Sequence, residues 1–175
     1  MSQEGPGQVP NQKMRIEVQP PGHVGVNQTL YPPVVISIPH DVKCNMVYAY
    51  LKLPSGNFAA ATLSGMSESG VPYAMTPSSG GGGGSSSSSS SHPRKYSVFP
   101  CLSIEHAGKY RIFVTAIKVH KDHWETKAYA TSDEFQVYSD AVDDVTGSPK
   151  EETLLENLHL QGFWRRAGDP DPTQT

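Results

Sequence analysis

Side chains capable of chemistry are present, but their spacing spells no catalytic signature. His120, Asp122 and His123 fall within four residues and are donor types that zinc accepts. A zinc site uses four convergent ligands at recognisable spacing. No CxxC and no second His pair accompanies these three, so they read as an exposed loop pair. Cys101 lies five residues before His106, but a Cys–His catalytic pair is a spatial relation that nearness in sequence does not supply. Cys101 reads instead as a buried structural thiol. Glu151 and Glu152 sit where acids in a first helical turn favour the dipole. The chain has no GxSxG, no GxxxxGKS or GxxxxGKT, no GxGxxG after a strand and no HExxH. The five-glycine run at 80–84 lacks the Lys and the following helix of a phosphate loop. No enzymatic activity, cofactor, metal or small-molecule substrate is expected.

Binding chemistry is better represented. Lys109 and Arg111 project from one face of a strand, two residues apart; Arg94 and Lys95 are adjacent; Arg165 and Arg166 follow Phe163 and Trp164. Such cations touch phosphates, contacts that position a nucleic acid without reading its sequence. The formal net charge of -3 hides an uneven layout. Residues 92–131 carry seven basic and three acidic groups, and residues 132–175 carry three basic and ten acidic groups. A basic block can face an anion. It can equally be a solvated sheet face balanced by the next segment, since clustered surface charge is common without a ligand.

The elements that hold these residues have mainly strand periodicity. Met14–Val18 alternates with period two, and Val34–Ile38 is β-branched and follows Pro32-Pro33. Between them the sequence has no pattern and reads as a loop. Asn45–Leu53 is apolar on both faces, as a central strand covered on two sides would be. A turn at 54–57 then returns Phe58–Leu63 as its hairpin partner. Val71–Met75, Tyr96–Phe99, Lys109–Val119, Trp124–Ala130 and Glu134–Tyr138 are further strands. In Lys109–Val119, Tyr110, Ile112, Val114 and Ala116 share one face, with Lys109, Arg111, Phe113 and Thr115 on the other. Short connections between strands predict an antiparallel sandwich. One helix is expected: Ser148 caps it, Pro149 opens it, Glu151 completes a capping box, Leu154, Leu155, Leu158 and Leu160 form its stripe, and Gly162 ends it. Phe163–Arg166 then reads as a final short strand or docking segment.

Of the 175 residues, 78–91 are only Ser and Gly, a flexible-linker composition that buries nothing. Strand-like sequence resumes after it, so it reads as a loop insertion inside one domain, a change whose closure entropy grows only logarithmically with length. The domain is expected over 13–166, with polar tails at 1–12 and 167–175. No apolar run approaches the roughly 20 residues of a membrane span. The first residues lack an apolar signal centre, and two cysteines make no disulfide framework, so a soluble intracellular protein is the expectation.

The order of segments resembles the velvet family of fungal regulators. The resemblance rests on RIEVQPPGHVGV and YPPVVISI near the start, then Phe99-Pro100-Cys101-Leu102-Ser103-Ile104 followed by Gly108-Lys109-Tyr110-Arg111-Ile112. It continues in Ser132-Asp133-Glu134-Phe135-Gln136-Val137-Tyr138-Ser139 and in Leu160-Gln161-Gly162-Phe163-Trp164-Arg165-Arg166. It covers about residues 14–166 outside the insertion, and its specificity lies in the order of the pieces.

The resemblance implies an all-β, immunoglobulin-like or Rel-homology-like antiparallel β-sandwich with one short C-terminal helix. It also implies a nuclear or shuttling protein that pairs with velvet partners as a homo- or heterodimer and contacts promoter duplex DNA to govern sporulation and secondary metabolism. The residues expected to meet nucleic acid are Lys13, Arg15, His23, Lys109, Arg111, Arg165 and Arg166; Phe163 and Trp164 are expected to meet a partner. Two departures stand out. The family's Ala-Arg-x-Cys-Gly element and basic loop are replaced by Gly22–Tyr31, with no Lys or Arg and a single His, and Cys101 stands where the family often has Asp. A member that dimerises and works by protein contact, with little DNA binding, is therefore the alternative.

Overall fold

A computed structural model describes residues 14–65, 68–69, 73–74, 93–143 and 145–165. The terminal tails, the Ser/Gly tract, Val71, Met75, Lys13 and Arg166 lie outside the described residues. In chain order the strands are β1 (Arg15–Val18), β2 (His23–Gly25), β3 (Val34–Pro39), β4 (Met46–Lys52), β5 (Leu63–Ser64), β6 (Glu68–Ser69), β7 (Tyr73–Ala74) and β8 (Arg94–Phe99). They continue with β9 (Ser103–Ile104), β10 (Gly108–Val119), β11 (Trp124–Thr131) and β12 (Phe135–Tyr138), and the helix α1 (Pro149–Leu160) closes the order. The protein is an all-β sandwich with one C-terminal helix. One sheet has the order β1-β3-β8-β7. The other has the order β2-β12-β10-β4-β6, with β11 also on β10, and β5 and β9 form a small ribbon.

β10 is long enough to pair three neighbours. Gly108–Tyr110 meets β12, Phe113–Val119 meets β11, and Arg111–Ile117 meets β4 on the other side. The chain changes partners at Ser132, which is buried. Its hydroxyl accepts the Ile112 N–H at 2.8 Å and its own N–H donates to the Ile112 carbonyl at 2.8 Å.

The main core lies between the sheets and holds Val34, Ile36, Ile38, Phe99, Tyr110, Ile112, Val114, Phe135 and Val137, among others. A second core lies on the outer side of the smaller sheet, where Val18, Val35 and Val98 meet Leu155, Leu158 and Trp164. Both faces of β3 are thus covered, and five of its six residues are buried.

The helix starts as expected: the Ser148 N–H donates to the Glu151 carboxylate at 2.8 Å and the Ser148 hydroxyl accepts from the Glu151 N–H at 3.4 Å. Its end is a Schellman turn. Gly162 takes φ 78°, its N–H reaches the His159 carbonyl, and the Phe163 N–H reaches Leu158. That reversal sends Trp164 back under the helix, where its indole N–H donates to the Leu155 carbonyl at 3.1 Å.

Several expectations change. The patternless loop contains β2, which pairs in parallel with β12, the one parallel register among the described strands. Phe58–Leu63 is not a full hairpin partner. It makes one bridge, Lys52 to Phe58, and then leaves so that Leu63–Ser64 pairs with Ser103–Ile104. Gly65 permits this path: at φ 92°, a Cβ there would lie 1.8 Å from the Cys101 carbonyl oxygen. Asn45–Leu53 is covered on one face only, because Val47, Ala49 and Leu51 are buried while Tyr50 is exposed. Phe163–Arg165 forms no strand, because the Schellman turn folds it onto the helix. Cys101 is exposed and Cys44 is buried: residue 101 sits in a turn, where its side chain has no core to enter. Leu160 is exposed, because two residues past Leu158 it comes round to the far side of the helix from the leucines that reach the sheet.

Truncating Phe135 removes a ring that is 2% exposed. Phe135→Ala is expected to lower unfolding free energy by about 3–5 kcal/mol, and Leu160→Ala, at a 73% exposed position, by less than about 0.5 kcal/mol; guanidinium titrations measure both. The cap carries a pH dependence. Burial alone would raise the Glu151 pKa, but hydrogen bonds from the Ser148 hydroxyl and from the backbone of Ser148 and Gln19, with Lys150 nearby, hold it below its ordinary value. A depressed carboxylate stabilises the fold above its unfolded pKa and loses that contribution as pH falls through the folded one. Melting curves should therefore show wild type losing more stability than Glu151→Gln on acidification from neutral pH.

Candidate nucleic-acid interface

The helix covers the outer face of the smaller sheet and leaves the outer face of the larger sheet open. Three of the expected phosphate ligands stand on that open face. Lys109 pairs across with Gln136, and Gln136 with His23, so His23 and Lys109 lie in one row across three strands, about 10 Å apart at the usual strand spacing. In the next row Arg111 is opposite Lys52. Glu134, just before β12, faces both β10 cations: its carboxylate is 3.7 Å from Lys109 Nζ and 3.8 Å from Arg111 Nη2. Side chains in these pairs are 35–64% exposed, so each pair contributes at most about 1 kcal/mol to stability. Their larger effect is on the local field, which one acid partly neutralises.

Beyond the cations the same face turns aromatic. Opposite pairs Phe113–Tyr50 and Thr115–Tyr48 on β10 and β4, with Tyr129 on β11 and Phe58 after the turn, give a continuous band. Its ring-centroid steps are 6.2 Å (Tyr48–Tyr50), 6.0 Å (Tyr50–Phe58), 6.1 Å (Phe58–Phe113) and 5.7 Å (Phe113–Tyr129). Lys52 Nζ lies 3.8 Å from the Phe113 centroid and 5.0 Å from that of Phe58, a cation–π geometry. The sequence reading missed Lys52 and this band. The available signal was the alternation of Tyr48, Tyr50 and Lys52, combined with Phe113 sharing the Lys109 face.

The other expected residues that the structure describes do not join this face. Arg15 is exposed on β1, opposite Ser37 in the smaller sheet. Arg165 is exposed after the helix. Phe163 is half-buried and Trp164 is buried in the second core. Arg94 and Lys95 are held internally: Arg94 Nε donates to Ser37 Oγ at 2.7 Å beside Glu17, and Lys95 Nζ donates to the Val42 carbonyl at 2.7 Å.

At the β10–β11 hairpin the rings of His120 and His123 stack 4.5 Å apart, and Asp122 lies 3.2 Å from His123 Nδ1. Among the described residues, no group of three or more His, Cys, Asp or Glu side chains is placed to hold a metal ion, and no helix is long and apolar enough to cross a membrane.

No protein-family model matches the chain, and a search of curated proteins finds no match.

The two thiols differ in environment. Burial pushes the Cys44 thiol up, an effect that the nearby Lys95 ammonium partly opposes, and Cys101 is exposed. The thiolate is the reactive form. Titration with a thiol reagent at neutral pH is expected to modify Cys101 rapidly in the folded protein and Cys44 only on unfolding. Two equally fast phases would contradict the placement of Cys44.

Proposed function

We propose that this chain is a velvet-like transcriptional regulator: a non-enzymatic nuclear protein, shuttling with the cytoplasm, that dimerises with velvet partners and contacts duplex DNA to control fungal development, sporulation and secondary metabolism. What supports the reading is that the segments carrying the resemblance, far apart in sequence, are mutual neighbours. The strand of RIEVQPP pairs with that of YPPVVISI, which pairs with the strand ending at Phe99-Pro100. GKYRI likewise pairs with FQVYS. Gln19 joins them further, since its amide oxygen accepts the Asp133 N–H at 3.0 Å and its own N–H donates to Glu151 at 3.3 Å. Duplex contact would use Lys13, Arg15, His23, Lys109, Arg111, Arg165 and Arg166.

A second reading, an adaptor that works through protein contact, is favoured by one observation: Lys109 and Arg111 share Glu134, while residues 22–31 supply no Lys or Arg to compensate. In that reading Phe163 can take part at its half-exposed edge, whereas Trp164 would first have to leave its core.

Anisotropy titration of duplex DNA at low salt, with the protein alone and with a velvet partner, separates the two. The regulator reading expects salt-sensitive binding that weakens by at least tenfold when Lys109 and Arg111 are both changed to Gln. It also expects Glu134→Gln to strengthen binding severalfold by freeing the two cations. Absence of binding at low salt in both settings leaves the adaptor.

A further inference from the structure

We propose that the open face of the larger sheet is a platform for single-stranded nucleic acid, which stacks its bases on Tyr50, Phe58 and the neighbouring rings and lays its phosphates along Lys52, Arg111 and Lys109. This site shares Lys109 and Arg111 with the duplex reading but adds Lys52 and the exposed rings, and the preference for an unpaired strand separates the two.

Three observations carry it. First, rings are exposed where a sandwich needs none: Phe58 is 64% and Tyr50 42% exposed. They belong to a band of five aromatic residues whose centroids step by about 6 Å. Second, the cations are built into the band. Lys52 lies over two of its rings, Arg111 is opposite Lys52, and Lys109 is two residues further along the same face. Glu134 is the acid in ion-pair range of Lys109 and Arg111, so at this end of the face three cations stand beside one such acid. Among the described residues, Arg111 Nε is enclosed with no hydrogen-bond partner.

Third, the chemistry of the two halves selects the form of the ligand. Phosphates alone would suit a duplex, but a duplex hides the faces of its bases within its own stack, and the exposed rings would then gain nothing. An unpaired strand offers a base face and a phosphate at every step, and aromatic residues beside a cationic track are how proteins hold such strands with little regard to sequence. A polyanionic peptide would satisfy the cations and leave the rings unused.

The test uses the full chain and fluorescein-labelled 20-nucleotide oligomers of mixed sequence: single-stranded DNA, single-stranded RNA, and the DNA duplex, with poly-glutamate as competitor. The platform expects each single strand, or at least one of them, to bind at least tenfold more tightly than the duplex. Tyr50→Ala with Phe58→Ala should weaken that binding at least tenfold while leaving duplex affinity unchanged. Lys52→Gln should reduce the salt dependence by about one phosphate contact. Should the double alanine variant unfold in circular dichroism, Tyr50→Leu with Phe58→Leu keeps the apolar cover, removes the π-faces, and is held to the same tenfold loss. Equal affinity for single strand and duplex would overturn the proposal, as would competition by poly-glutamate at equal charge. So would sedimentation showing a homodimer that the Tyr50 and Phe58 changes dissociate.

Discussion

β10 pairs with three strands at once, and its period of two decides what the solvent meets. Tyr110, Ile112, Val114 and Ala116 must point inward, because with Phe135, Val137, Ala49 and Leu51 of the neighbouring strands they form the wall that meets Ile36, Ile38 and Phe99 of the other sheet. Lys109, Arg111 and Phe113 then have no choice but to point outward. A slip of one residue would exchange the two sets and put two cations into the core. The ladder to β4 runs over seven paired positions, so the slip would also misplace Tyr48, Tyr50 and Lys52. The chemical character of the open face is therefore a consequence of the core. The side chains that hold the sandwich together fix the row in which the cations and rings stand.

The two sheets are treated unequally, and the helix is the reason. Leu155, Leu158 and Trp164 cover Val18, Val35 and Val98, so the smaller sheet is buried on both sides. Burying a side chain such as Leu contributes roughly 1.5–3 kcal/mol. The exposed ion pairs to Glu134 contribute at most about 1 kcal/mol each. Helix docking therefore bears on stability, and the charged end of the open face bears on recognition. Gln19 ties the two regions, bonding the Asp133 N–H at the strand corner and the Glu151 carboxylate at the helix start.

What the sequence made legible was local. The longer strands, the faces of β10, the helix and both its ends follow from period, caps and a terminal glycine, all of which act within a few residues. What it hid was non-local. β2 is three residues long and pairs with a strand more than a hundred residues later, so no window around His23–Gly25 could show it. The covering of a strand is equally non-local: NMVYAYLKL looks buried on both sides because tyrosine is apolar enough for a core, yet the helix covers the other sheet. Trp164 looked like a contact for a partner because nothing in Phe163-Trp164 tells that a Schellman turn will fold it back on Leu155. Cys101 looked structural because free cysteines are usually buried, and only the turn at Pro100 places it outside. Lys109 and Arg111 are visible as cations on a strand-like segment, and His23 only as the single His of a stretch that reads as a loop. Their assembly into adjacent rows depends on the same long-range pairing that the sequence concealed.

The open face also raises the question of why its rings stay ordered in water. An exposed sheet of tyrosine and phenylalanine is an association hazard when flat and uncharged. Here the band is broken up. Phe58 stands edge-on to Tyr50 and to Phe113, at 76° and 84°, an arrangement that the ring quadrupoles favour. Lys52 sits over Phe113 and brings a hydrated charge into the middle of the patch. The cation that attracts an anionic ligand is thus also the group that makes the face less inviting to neutral protein surface. Removing its charge would weaken the first effect and the second together, because both arise from one ammonium held against one ring.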